Sequence, residues 1–264
     1  MHRSIRAASW FFFAAIMYLI LVEAVAPWLQ LPGLGNIGFT LVFVLFALLH
    51  CTALEGARRT GIFFFLSAVV SFLMEEAGVR TGLIFGPYHY GDMLGAKLGH
   101  VPVLIPLAWF MMIYPSWMVA RAIVAGIAID TFAGLLSISA VAAIVMTGWD
   151  MVMDPGMSAA GNWIWVQGGA YFGVPLHNYF GWLLTTFLVY FLVGRLWKSV
   201  VSASAAQRTF AALPILVYAF FALRYVLANS RFPELRLVAL FSMGTPALLA
   251  LIQTFLNRRA ATAA

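Results

Sequence analysis

The 264 residues are 64% hydrophobic and 9% charged, with a net charge of +6 and a mean hydropathy of +0.97, whereas soluble domains carry about 25% charged residues. A soluble globule is excluded, and the chain reads as a polytopic membrane protein. Its basic excess falls mainly in short connections between apolar runs, the mark of membrane topology rather than of a nucleic-acid partner, and the lone Cys51 excludes an internal disulfide or a multi-cysteine metal site.

Apolar runs long enough to cross a bilayer, which takes roughly 20 residues, lie near 9–30, 37–56, 61–77, 102–120, 123–147, 178–194, 208–228 and 235–256. The expectation is an all-α transmembrane helix bundle of about eight spans, in a single integral membrane domain over 1–264 with no internal repeat. Seven spans remain the alternative, because Arg224, Arg231, Glu234 and Arg236 crowd the link between the last two. The first run follows His2, Arg3 and Arg6 and shows no small-residue cleavage site, so it reads as a retained span. A cytoplasmic N-terminus places Arg3, Arg6, Arg58, Arg59, Arg121, Arg195, Lys198, Arg208, Arg258 and Arg259 on one side. Arg80, Lys97, Arg224, Arg231 and Arg236 fall on the other, which satisfies the positive-inside rule and puts both termini in the cytoplasm.

Acidic residues are few, and their positions stand out along the chain. Glu23 lies in the outer half of the first span, where it could join a cavity. Glu55, with Arg58 and Arg59 at i+3 and i+4, reads as a surface clamp, and neighbouring Cys51 reads as core. The third span carries Glu75 and Glu76, the first of them about 21 Å along the helix from Gly61 at the α-helical rise. Consecutive helical residues project about 100° apart, so one carboxylate can face a cavity while the other holds a partner such as Arg80. An interfacial Glu-Arg clamp is the plain alternative for both. Asp130, assigned to the fifth span, is expected to pair with Arg121 or a neighbouring helix.

Two long loops, near 78–101 and 148–177, are rich in Gly, Pro and aromatics and fall on the same, extracytoplasmic face. The first runs from Gly82 through Tyr88, His89, Tyr90 and Asp92, where glycines and a proline forbid a continuous helix. Irregular backbone near membrane depth is tolerated where protein buries it or a wet cavity satisfies it, so this loop reads as a site wall, with an interfacial aromatic belt as the alternative. The second loop holds Trp149, Asp150, Asp154, Trp163, His177 and Asn178. Asp150 and Asp154 share a helix face if the fifth span reaches them, although Pro155 biases Asp154 away from helical geometry. Asn178 could simply cap the sixth span. Spaced aspartates suit magnesium on a diphosphate, yet a second Asp-rich motif is missing. The five histidines are too scattered for a membrane non-haem iron signature, so no metal is assigned, although a single site from His89, His177 and a carboxylate stays geometrically open.

The stretches Met74 to Asp92, Pro102 to Pro106, Trp149 to Pro155, Trp163 to Trp165 and Gly173 to Trp182 resemble the carotenoid biosynthesis membrane family. That family includes CruF-type carotenoid 1,2-hydratases and haloarchaeal bisanhydrobacterioruberin hydratases. The resemblance runs over about residues 40 to 250, and its specificity lies in the two loops. It implies a hydro-lyase that adds water across the terminal C1–C2 double bond of an acyclic carotenoid, giving a tertiary alcohol. The implied partners are that carotenoid, water, the lipid bilayer of a prokaryotic cell membrane and other enzymes of the pathway.

Elementary chemistry agrees with that implication. Hydrating a trisubstituted alkene takes a proton delivered to one carbon, a tertiary carbocation and capture by water, with no redox change and no obligatory cofactor. A carboxylic acid held protonated by an apolar site can deliver the proton, and Glu75, Asp150 and Asp154 are the candidates. His89 or His177 could take a proton from the attacking water. The ring faces of Tyr88, Tyr90, Trp149 or Trp163 could stabilise the cation, with Glu76, Asp92 and Asn178 as further contacts. The rival readings are a non-catalytic carotenoid-binding subunit and a small proton- or cation-coupled transporter. The second would usually show internal repeats and paired interrupted helices, and neither is found.

Overall fold

The computed structural model describes residues 2–29, 33–196, 209–227 and 231–262. Seven helices start the bundle: α1 (His2–Leu29), α2 (Gly35–Glu55), α3 (Ala57–Thr81), α4 (Leu104–Ile123), α5 (Phe132–Ala159), α6 (Leu176–Leu196) and α7 (Leu213–Leu227). The last, α8, is an α segment Leu235–Ala239, a π-helical turn Leu240–Gly244 and an α segment Thr245–Thr262. The chain is an all-α polytopic bundle, as expected. Among the described residues seven helices are long and apolar enough to cross a membrane, and α4 is the one left out.

The reason lies in where α4 sits. Every residue from Trp109 to Ala120 is buried, because α2, α3, α5, α7 and α8 all pack on this helix. A helix shielded from lipid does not need a uniformly apolar surface, so Tyr114, Pro115, Ser116 and Trp117 are tolerated at its middle. Connections are as short as one residue: α2 passes into α3 through Gly56 alone, whose φ of 85° is open to glycine at no steric cost.

The fifth helix departs from expectation at both ends. It begins at Phe132, after a turn capped by the Thr131 side chain, which accepts from the Gly134 N–H at 3.0 Å. Asp130 is therefore exposed in the turn ahead of the helix rather than inside a span, and Arg121 pairs with Glu55 at 2.8 Å instead. At the other end α5 runs through Asp150, Asp154 and Pro155 to Ala159. Proline cannot donate to the carbonyl four residues back, here that of Met151, and the Tyr171 hydroxyl donates to that oxygen at 3.0 Å in its place. Asp154 consequently stays helical.

The loops between α3 and α4 and between α5 and α6 meet at one end of the bundle. Strand β1 (Tyr88–Tyr90) of the first pairs antiparallel with β4 (Trp163–Trp165) of the second, in the register Tyr88 to Trp165 and Tyr90 to Trp163. A small hairpin of β2 (Lys97–Leu98) and β3 (Val101–Pro102) leads into α4. The loop that follows α3 comes close to α6 where Gly181 faces the carbonyl of Ile84, and a Cβ at 181 would collide with that oxygen. Gly181→Ala is expected to lower stability by about 1–3 kcal/mol, the usual cost of overpacking. An unchanged thermal midpoint in detergent would show that the contact relaxes freely.

Candidate active site

Period-2 alternation along β1 and β4 decides which loop side chains turn inward. Tyr88, Tyr90, Trp163 and Trp165 are buried, while His89 and Ile164 between them face out. The inward rings cap a cavity of about 160 Å³. Its other walls come from α3, α4, α5 and α6, with contributions from α1, α2 and α7.

Four carboxylates line this cavity, and three of them, Glu75, Asp150 and Asp154, are each at most 5% exposed. Glu75 projects inward from α3 and is filled with donors. Its Oε2 accepts from the Tyr88 hydroxyl and from the Tyr90 hydroxyl at 2.7 Å, and its Oε1 accepts from the Trp109 indole at 2.9 Å. Burial, and then the negative charge of Glu75, push both tyrosine hydroxyls well above their ordinary range, so the phenols hold their protons and donate. Glu76 turns to the opposite side. It pairs with Arg80 at 2.7 Å and accepts from the His100 backbone N–H at 2.9 Å, which ties the β2–β3 hairpin to α3.

One turn apart on α5, Asp150 and Asp154 face the cavity together. The two hydrogens of a single side-chain amide serve them both: Asn178 Nδ2 donates to Asp150 Oδ2 at 2.9 Å and to Asp154 Oδ2 at 2.7 Å. Asp154 Oδ1 accepts from the Trp163 indole at 2.6 Å. Asp150 Oδ1 is buried with no protein partner. It is thus the carboxylate oxygen of the site that meets no protein donor and is left to accept from a small molecule. Asn178 lies inside the first turn of α6 with its amide turned inward, and so is not the helix cap.

The remaining wall is aromatic. Trp109 and Trp182 stack with ring centres 3.9 Å apart, Trp149 meets Trp182 edge-on at 6.0 Å, and Tyr88 lies 5.0 Å from Trp165. The structure thus gathers Glu75, Tyr88, Tyr90, Trp149, Asp150, Asp154, Trp163 and Asn178 around one space. It leaves out His89 and His177, which are exposed outside it, and Asp92, which is fully exposed and pairs with Lys97 at 3.3 Å. Glu76 is also outside. Among the described residues no group of three or more His, Cys, Asp or Glu could hold a metal ion.

Trp109, Trp165, Trp182 and the pair Glu23–Arg224 were not legible as site residues from sequence, apart from the suggestion that Glu23 could reach a cavity. Trp109 and Trp182 lie in generic apolar spans, and only an anomalous polar edge on α4 and α6 would have marked them. Tyr171→Phe removes only the hydroxyl that holds the Met151 carbonyl. Leaving that part-buried acceptor unpaired should cost about 1 kcal/mol and loosen the last turns of α5. Hydrogen exchange confined to 152–159 would report it, and unaltered exchange there would dismiss the substitute-bond argument.

A helix bundle of membrane-spanning character with an aromatic-walled chamber and several buried carboxylates defines the class: an integral membrane protein with a largely apolar cavity beside acid groups. The chain belongs to the carotenoid biosynthesis protein family, whose sequence model matches residues 35–249, as the two loops had implied. Over 129 residues it is 36% identical to the bisanhydrobacterioruberin hydratase of Haloarcula japonica, a match that covers 48% of this chain and 42% of that protein. The chain thus aligns with less than half the length of that relative. No solved structure matches it.

Proposed function

We propose that the protein is a carotenoid hydratase that adds water across the terminal C1–C2 double bond of an acyclic carotenoid end. The observation that carries this reading is the unpartnered Asp150 Oδ1, set beside Asp154 in an aromatic chamber that also holds Glu75. The hydratase name of the relative from Haloarcula japonica supports it.

In this reading the carboxyl of Asp150 delivers its proton to C2, and the π electrons of the double bond form the new C–H bond. The positive charge falls on C1, a tertiary centre. The ring faces of Trp149 and Trp182 stabilise it by roughly 2 kcal/mol when water is excluded, and the Glu75 carboxylate adds a fixed negative charge. Water then bonds to C1. Its surplus proton returns to the Asp150–Asp154 pair, so the site ends each cycle with the protons it began with. The sequence is redox neutral and consumes only alkene and water. Asn178, Trp163, Tyr88, Tyr90 and Trp109 act as positioning residues because they orient carboxylates rather than meet the reacting carbons.

Expression in cells that accumulate lycopene or another acyclic carotenoid, followed by chromatography and mass spectrometry of the pigments, tests the reading. A product heavier by one water is expected. Protein present in the membrane with every pigment unchanged would overturn it in favour of a binding role. The site end is taken as extracytoplasmic in a prokaryotic cell membrane, since Arg3, Arg6, Arg58, Arg59, Arg121 and Arg195 gather at the other. Lys198 and Arg208 lie outside the described residues, as do the side chains of Arg258 and Arg259. Labelling of an added N-terminal cysteine from outside intact cells would refute this orientation.

A further inference from the structure

The chamber has a second polar pole that the mechanism above does not use. Glu23 of α1 and Arg224 of α7 form an ion pair at 2.5 Å, and both line the cavity together with Asn36 of α2. Arg224 is held over Tyr225 and Phe221, with its guanidinium 5.0 and 5.7 Å from their ring centres. Apart from Thr40, the rest of the lining is apolar or belongs to the acid cluster. Of the described residues that line the cavity, only Glu23 and Asn36 are exposed, whereas the loop cap is closed by buried Trp163, Trp165, Tyr88 and Tyr90.

A hydrocarbon gains nothing from an ion pair and an amide at the mouth of its chamber, and placing such groups there is costly unless something polar meets them. Asn36 is the second residue of α2 and Arg224 stands in the last turn of α7. The mouth therefore opens near the ends of helices, where the bilayer gives way to water. The reaction proposed above needs one water for each turnover, delivered to the acid cluster through a chamber whose remaining wall is mostly apolar.

We propose that the Glu23–Arg224–Asn36 mouth is the water port of the chamber, admitting the molecule that captures the carbocation. This rests on the hydratase reading, but the port itself is open to a test that does not need catalysis. In a Cys51→Ala background, Ala108→Cys places a thiol on the cavity wall. The water-borne reagent 2-aminoethyl methanethiosulfonate should label it. Labelling should slow by about tenfold or more, a barrier increase of at least 1.36 kcal/mol, when Glu23→Met and Arg224→Met make the mouth apolar. It should persist in the swapped pair Glu23→Arg with Arg224→Glu, and Asn36→Leu, which spares the ion pair, should slow it as well. Equal labelling in the apolar double variant, with folding shown by an unchanged elution profile in detergent, would overturn the port.

A second readout joins the port to the chemistry. A cation starved of water loses a proton from a methyl group on C1 to the aspartate pair, which yields an isomeric alkene of unchanged mass. The apolar double variant should therefore shift its products from alcohol toward that isomer. A wild-type share of alcohol would count against the port, whereas Ala108→Cys labelled through an unaltered mouth, together with a wild-type protein that forms no alcohol, would defeat the hydratase reading alone.

Discussion

Asp150→Asn is expected to abolish hydration while leaving a folded protein in the membrane. The amide is isosteric with the acid, and its oxygen can occupy the Oδ2 position and accept from Asn178 as before. Its NH₂ group then takes the Oδ1 position, which has no protein partner to be lost. What disappears is the transferable proton, and removal of a general acid costs roughly 10²–10⁴-fold in rate. Pigment analysis of cells that express the variant at wild-type level measures this. Product formed at the wild-type rate would remove Asp150 from the chemistry. The same change at Asp154 is less clean, because both of its oxygens already accept and an amide there must turn its NH₂ toward a donor.

Glu75→Gln should lower both activity and stability. Oε2 accepts from two tyrosines and Oε1 from Trp109, so an amide cannot serve all three. Keeping its oxygen toward Tyr88 and Tyr90 leaves the Trp109 N–H facing an NH₂ group. A buried donor without a partner costs about 1–3 kcal/mol. Loss of the fixed charge opposite the developing cation should slow the reaction further, by about 10²–10³-fold if it resembles removal of a preorganised electrostatic contact elsewhere. Tyr90→Phe is expected to do less, since Glu75 keeps its bonds to Tyr88 and Trp109. Thermal unfolding and pigment yield, read together, separate the two contributions. A Glu75→Gln protein with wild-type stability and product would mean that the Tyr88–Tyr90–Trp109 cradle is incidental.

Much of the architecture was readable from local features. Hydropathy pointed to the eight helices of the described residues because the cost of burying charge in lipid acts on each segment separately. That Glu75 and Glu76 diverge by about 100° follows from helical geometry, and the structure shows one in the chamber and the other clamped to Arg80. The loop motifs identified the family. Other features were beyond a local reading. The central place of α4 depends on five neighbouring helices. The helix through Pro155 depends on a hydroxyl at Tyr171, sixteen residues further along the chain. The pairing of β1 with β4 turned His89 outward and Tyr88 and Tyr90 inward, which no count of residue types within one loop could settle.

The sequence by itself determined that this is a membrane-embedded helix bundle of the carotenoid biosynthesis family, with its acids concentrated in two stretches that share one face. Transfer energies and helix periodicity are properties of short segments and need no partner. Only the tertiary structure decided that Asp150 and Asp154 share one amide of Asn178, that Glu75 is held by two tyrosines and a tryptophan, and that Glu23 and Arg224 meet at the mouth. A buried carboxylate must find its donors wherever the fold brings them, and here those donors come from helices and loops far apart in the chain.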